Sequence, residues 1–311
     1  MKQVGALAQE VRRQCDGVDG VVDGIVSSPE LCVFDFGWVA CGNGTAGDHE
    51  NCLSLEQVDT VRRVYEGWRG TDGRVLYPGL ELGSEGLWWL LLGNKQEPSP
   101  LGVGWQRDFL MDDAAWDWRG FDEDGIVRLA DGRDPGRANA VGFEGLGRFR
   151  DRGGKLVLYH GLADGLVPAK GSELFYKRTV EALGGGEISD FMRLFLVPGM
   201  QHCWSTDTNA PWCFGGATHA GGLGMDKWSV PGYKDSRHDA MMALVEWVER
   251  GRPVDSIVAT AWRSKWNATS GALRQRPLCP YPAKAVYNGV GDVDLGSSWK
   301  CSGALGIKSG G

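Results

Sequence analysis

The chain has 311 residues, 42% of them hydrophobic, which leaves room for a sizeable core and for about two domains of roughly 150 residues each. Its 33 basic residues against 40 acidic ones give a formal charge of −7. That balance argues against a nucleic-acid surface, and no run approaches the ~18 apolar residues that span a bilayer.

Eight cysteines without a CxxC pair point to disulfides and an oxidising compartment rather than to zinc. The glycosylation triplets Asn43-Gly44-Thr45 and Asn267-Ala268-Thr269 agree with secretion but carry little weight singly. The first thirteen residues hold one short apolar patch, Val4 to Ala8, then Gln9, Glu10 and two arginines. That is not a signal peptide; it reads as the last turns of an amphipathic helix belonging to a longer protein.

Between Cys15 and Ile25, small residues separate Asp16, Asp19 and Asp23 on a glycine-rich backbone. With the carbonyls of Val21 and Ile25, these carboxylates can serve a hard cation such as Ca²⁺, which takes about 6–8 oxygens. The spacing is not that of an EF-hand, and a solvated series of Asp-Gly turns accounts for the same residues. Ser54-Leu55-Glu56-Gln57 is a capping box. The helix it opens places Leu55, Val58, Val61, Val64 and Tyr65 on one side and stops at Gly67. From Arg69 to about Val141, clusters of Gly, Pro and Trp show no readable alternation, so a loop-rich lid inserted into an α/β domain is expected there. Trp88, Trp89 and Trp105 either pack in a core or line a substrate site, and packing is the commoner role.

Regular α/β order resumes near Phe149. Leu156 to Tyr159 and Phe191 to Val197 have the composition of buried parallel strands. Each ends in a glycine-containing turn that presents one ionisable side chain, Asp164 after the first and His202 after the second. Open α/β sheets carry their active sites at this end. An Asp followed by a His in that order supplies the second and third members of a Ser…Asp…His triad. His160 reads as a structural neighbour of this pair. A helix is expected over Ser172 to Leu183. A second one, Asp239 to Arg250, is expected to turn Met241, Leu244, Val245 and Val248 inward before Gly251 and Pro253 stop it. The tail from Ala261 onward reads as irregular.

Three blocks in order resemble the tannase and type-B feruloyl esterase family: Cys15-Asp16…Asp23-Gly24, Gly153-Gly154-Lys155-Leu156…Tyr159-His160-Gly161…Asp164, and Pro198-Gly199-Met200…His202-Cys203. The similarity runs from Cys15 to Cys301. It implies an α/β-hydrolase fold with residues 1–145 as an inserted lid domain and 146–311 as the C-terminal part of the catalytic domain. It also implies hydrolysis of aromatic esters with Asp164 and His202 as catalytic residues, and secretion of the complete protein. A structural Ca²⁺ at Asp16, Asp19, Asp23 and the carbonyls of Val21 and Ile25 is implied likewise, as are the disulfides Cys15–Cys32, Cys41–Cys52 and Cys279–Cys301. Cys203 and Cys213 are left over, and a bond between them is open.

One family element is missing. The nucleophile lies in a Gly-Cys-Ser-x-Gly-Gly turn ahead of the lid, and no such turn occurs here; Gly83-Ser84-Glu85-Gly86 has the wrong spacing. The N-terminal strands and the nucleophile elbow are therefore expected outside this chain, which alone should be nearly inert. The expected partners are a phenolic ester substrate and a separate N-terminal chain carrying the nucleophile Ser, with no nucleic acid and no membrane. The alternatives are a calcium-stabilised domain that binds phenolic or sugar ligands without turnover, or one chain of a processed enzyme that needs a Ser-bearing partner.

Overall fold

A computed structural model describes residues 2–42, 51–92, 97–120, 122–135, 143–215, 219, 221, 223 and 230–303. The Asn43 triplet lies outside them, whereas Asn267 is exposed at a strand start.

Helix α1, Lys2–Cys15, buries Leu7, Val11 and Cys15 at helical spacing, and these form one core with Leu53, Val58, Val61, Leu80 and Trp88. Helix α2, Leu55–Glu66, opens on the expected box: Gln57 N–H donates to Ser54 Oγ, and Ser54 N–H donates to Gln57 Oε1. It buries Val58 and Val61, but Leu55 is exposed, because a first-turn residue lies beyond the edge of the surface the helix packs on. Among the described residues, the stretch from Arg69 to Val141 is loop-rich. It holds a small antiparallel pair, β1 (Trp68–Arg69) with β2 (Val75–Tyr77), a 3₁₀ turn Glu85–Leu90, helix α3 (Pro100–Trp105) and helix α4 (Glu123–Arg133). Trp88 is a core residue, while Trp89 faces solvent.

After helix α5, Phe143–Asp151, comes the unit that positions the site: β3 (Leu156–Gly161), α6 (Ala169–Ala182) and β4 (Met192–Val197). The strands pair in parallel, Leu156 opposite Met192 and Gly161 opposite Val197, so both end at the same level. One face packs on α6 through Tyr176, Val180 and Leu194. The other packs through Phe195 and Val197 on Trp247 of helix α7, Ala240–Arg250, and on Ile257, Ala259 and Leu278.

Two expectations fail here. Helix α7 buries Ala243 and Trp247 and packs Leu244 on the same core as expected, but leaves Met241, Val245 and Val248 at 57, 51 and 55% exposure. The small Ala243 permits close approach to the sheet and the indole fills the space beside it, a choice that counting branched aliphatics misses. The tail is not irregular: β5 (Ile257–Ser264) and β6 (Asn267–Leu278) form one antiparallel pair, β7 (Lys284–Tyr287) and β8 (Trp299–Ser302) another. The run Arg274-Gln275-Arg276 hides β6 from a hydropathy reading. Those side chains are answered by Asp23, Asp294, Tyr233 and Thr260 from distant parts of the chain, as buried polar groups must be.

The disulfides Cys15–Cys32, Cys41–Cys52 and Cys279–Cys301 are formed. Cys203 and Cys213 carry free thiols, the first exposed and the second buried.

Candidate active site

Gly161 ends β3 against the neighbouring loop so closely that a Cβ there would collide with the Met200 and Gln201 carbonyls. Beyond it the two strand-end loops are laced by backbone bonds, Leu162 N–H to Val197 O at 2.9 Å and Ala163 N–H to Met200 O at 3.0 Å. This lacing brings together two residues that are 38 positions apart in sequence.

Asp164 is 2% exposed, and its carboxylate is fully engaged. Oδ1 accepts the Leu166 and Val167 N–H groups at 2.9 and 3.0 Å. Oδ2 faces His202 Nδ1 at 2.8 Å and His160 Nε2 at 3.1 Å. Burial works against the charge, but the bonds from His160, Val167, Leu166 and His202 outweigh it and hold the carboxyl below the usual aspartate range.

The partners fix both imidazole tautomers. His160 Nε2 faces two acceptors, Asp164 Oδ2 and the Val167 carbonyl at 3.0 Å, so it carries the proton; Nδ1 then accepts from Ser172 Oγ at 2.7 Å. His202 donates through Nδ1 to Asp164, which leaves Nε2 as the basic atom. Its side chain is 43% exposed, and among the described residues nothing hydrogen-bonds that nitrogen. Ser84 is not a nucleophile in waiting, because it is buried, donates to the Glu81 carbonyl at 2.6 Å and accepts from Trp88 Nε1.

Two residues escape sequence reading. His219 is buried, accepts Phe214 N–H at Nδ1, and donates from Nε2 to the Cys203 carbonyl at 3.0 Å. It thus pins the backbone beside His202, where Cys203 and Ser205 both adopt positive φ, 63° and 71°. Burial pushes its pKa down. Tyr77 lies close enough for burial and the Asp164 charge together to raise its pKa. No periodicity or motif marks either residue.

In the acidic turn the carboxylates of Asp16 and Asp23 are taken up by protein groups. Asp16 accepts the N–H groups of Asp23, Gly24 and Ile25. Asp23 Oδ2 meets Arg276 at 2.6 Å and Arg274 at 3.3 Å. Burial raises the pKa of Asp19 and Asp23, and the neighbouring carboxylates add to it. Among the described residues no three of His, Cys, Asp and Glu stand grouped as metal ligands.

A family model described as tannase and feruloyl esterase matches residues 1–97 and 124–302. The chain belongs to the tannase and feruloyl esterase family. A probable feruloyl esterase B-2 of Aspergillus terreus is 33% identical over 295 residues, 94% of this chain and 52% of that protein. A probable feruloyl esterase B-1 of Aspergillus flavus is 31% identical over 299 residues, again 94% and 52%. The crystal structure of feruloyl esterase B from Aspergillus oryzae superposes with a TM-score of 0.81 at 26% identity, covering 97% of this chain and 56% of that one. Tannin acyl hydrolase from Aspergillus niger shares the fold, with a TM-score of 0.69 at 18% identity over 97% and 53% of the two chains. The chain spans about half the length of these relatives. The architecture is thus α/β-hydrolase-like. Among the described residues no helix is long and apolar enough to cross a membrane.

Proposed function

We propose that this chain is the lid and acid–base part of a carboxylic ester hydrolase acting on feruloyl, galloyl or related phenolic esters of plant material, its serine supplied from outside these residues. The observation that carries the reading is the Asp164–His202 contact of 2.8 Å with Nε2 left free.

The serine hydroxyl attacks the ester carbonyl as His202 Nε2 takes its proton. The imidazolium formed is stabilised by Asp164, and Nε2 returns the proton to the leaving alcohol. Water repeats the sequence to release the phenolic acid. The donors that hold the tetrahedral oxyanion come with the serine segment. The Glu85–Leu90 turn lies against Gly165, next to Asp164, and this supports a lid role for that stretch. The three disulfides support an oxidising, extracellular setting. A Ca²⁺ at the Asp16–Ile25 turn would relieve the mutual repulsion of its carboxylates and requires Asp16 to release the amides it now holds.

Mixing or co-expressing the chain with a Gly-Cys-Ser-x-Gly-Gly-bearing segment of a relative should produce hydrolysis of methyl ferulate. His202→Ala in this chain should lower that rate by about 10⁴-fold or more. Hydrolysis indifferent to His202→Ala would refute the assignment.

A further inference from the structure

A cavity of about 580 Å³ lies between the Ile25–Glu30 segment, α6 and the region from β6 to β8. That is within the range of about 300–1,000 Å³ typical of small-molecule sites. None of His160, Asp164 and His202 lines it. Leu174, Leu196, Leu278, Tyr281 and Trp299 give it an apolar wall, and six prolines add flat C–H surface.

The charged groups lining it are already paired. Lys170 meets Glu81 at 3.2 Å, Lys177 meets Glu173 at 3.3 Å, and Lys284 meets Glu30. Arg276 is held by Asp23 at 2.6 Å. No unpaired charge is left to select an ion, so a charged ligand would lose hydration without finding a counter-charge. The pairs still offer hydrogen bonds: a carboxylate has about four acceptor sites and an ammonium three donors, so each retains capacity after meeting the other. Donors and acceptors therefore both line the apolar hollow. A hydroxyl both donates and accepts, and a saturated ring presents C–H faces to Tyr281 and the prolines, while Arg276 covers one face of Trp299 at 3.9 Å. A phenol with one or two hydroxyls would leave most of these groups unmet.

We propose that this cavity is a binding site for a neutral polyhydroxylated ring, a saccharide unit, separate from the Asp164–His202 pair. The proposal is independent of ester hydrolysis, and binding is read on the chain by itself.

The test is calorimetry with xylotriose as the probe. Saturable binding with a dissociation constant of about 1–10 mM is expected, and the Trp299 indole N–H resonance should shift in the unmodified chain. Two filling variants on opposite walls, Leu174→Trp on α6 and Ala285→Trp on β7, should each weaken binding by about tenfold or more. His202→Ala should leave it unchanged. The proposal is overturned by no saturable binding up to about 50 mM, or by an unmoved Trp299 signal. It also fails if methyl ferulate or glucuronate binds more tightly than xylotriose, or if His202→Ala abolishes binding while a folded filling variant keeps it.

Discussion

At the scale of single residues, Asp164 is a carboxylate with four hydrogen-bond donors, of which His202 is only one. His160 shares Oδ2 with it, and its tautomer is locked by the Val167 carbonyl and the Ser172 hydroxyl. A donor to a charged acceptor contributes about 1.5–3 kcal/mol. Because the Asp164 pKa lies below its unfolded value of about 3.9, its share of stability is complete above that pH. It disappears as pH falls through the depressed folded value. His160→Gln keeps an N–H donor and His160→Ala does not. The Gln variant should therefore be more stable near pH 6 by about 1.5 kcal/mol, with the gap closing as Asp164 protonates. Thermal melts of both variants from pH 6 to 2 check this, and a gap independent of pH would contradict it. His219 has the same sign for a different reason. Its depressed pKa reflects a neutral ring in the core, so it withdraws stability as pH falls below about 6.5.

Individual elements differ in how openly the sequence announced them. Strands β3 and β4 are continuous apolar runs because both of their faces are covered, and such runs are read easily. Their glycine turns and the order Asp164 then His202 followed directly, and so did the capping box of α2. Strand β6 was hidden because its stability lies in pairings that sequence order does not display: Arg276 with Asp23, 253 residues away, and Gln275 with Tyr233. The rotation of α7 escapes a count of aliphatics because Ala243 and Trp247, rather than the valines, meet the sheet. The Asp16–Ile25 turn belongs to this scale as well. Cys15–Cys32 closes it, and Asp19 and Asp23 are half-buried near like charges. A cation at 100 times its dissociation constant would add about 2.7 kcal/mol. A chelator should accordingly lower the melting temperature and open the turn to proteolysis, and Asp19→Asn should blunt both effects. An unchanged melt and digestion pattern would remove calcium from the account.

Over the whole molecule, ion pairs stitch the N-terminal stretch to the α/β unit: Arg12 to Asp207, Lys170 to Glu81, Arg276 to Asp23 and Lys284 to Glu30. Among the described residues β3 pairs with β4 alone, so one edge of the parallel pair is open beside the exposed stripe of α7. Open edges and apolar stripes of this kind invite a further layer of sheet, and relatives about twice as long have chain to spare for one. Everything proposed for catalysis nevertheless depends on the two laced strand-end loops holding His202 with its proton on Nδ1 and its free electron pair on Nε2. The direct measurement is ¹⁵N NMR of the His202 ring in this chain and in Asp164→Asn. The expected result is that the neutral tautomer carries its proton on Nδ1 in the unmodified chain, and that the proton shifts toward Nε2 once the carboxylate is replaced by an amide. A ring protonated at Nε2 from the start, or one indifferent to Asp164→Asn, would contradict it.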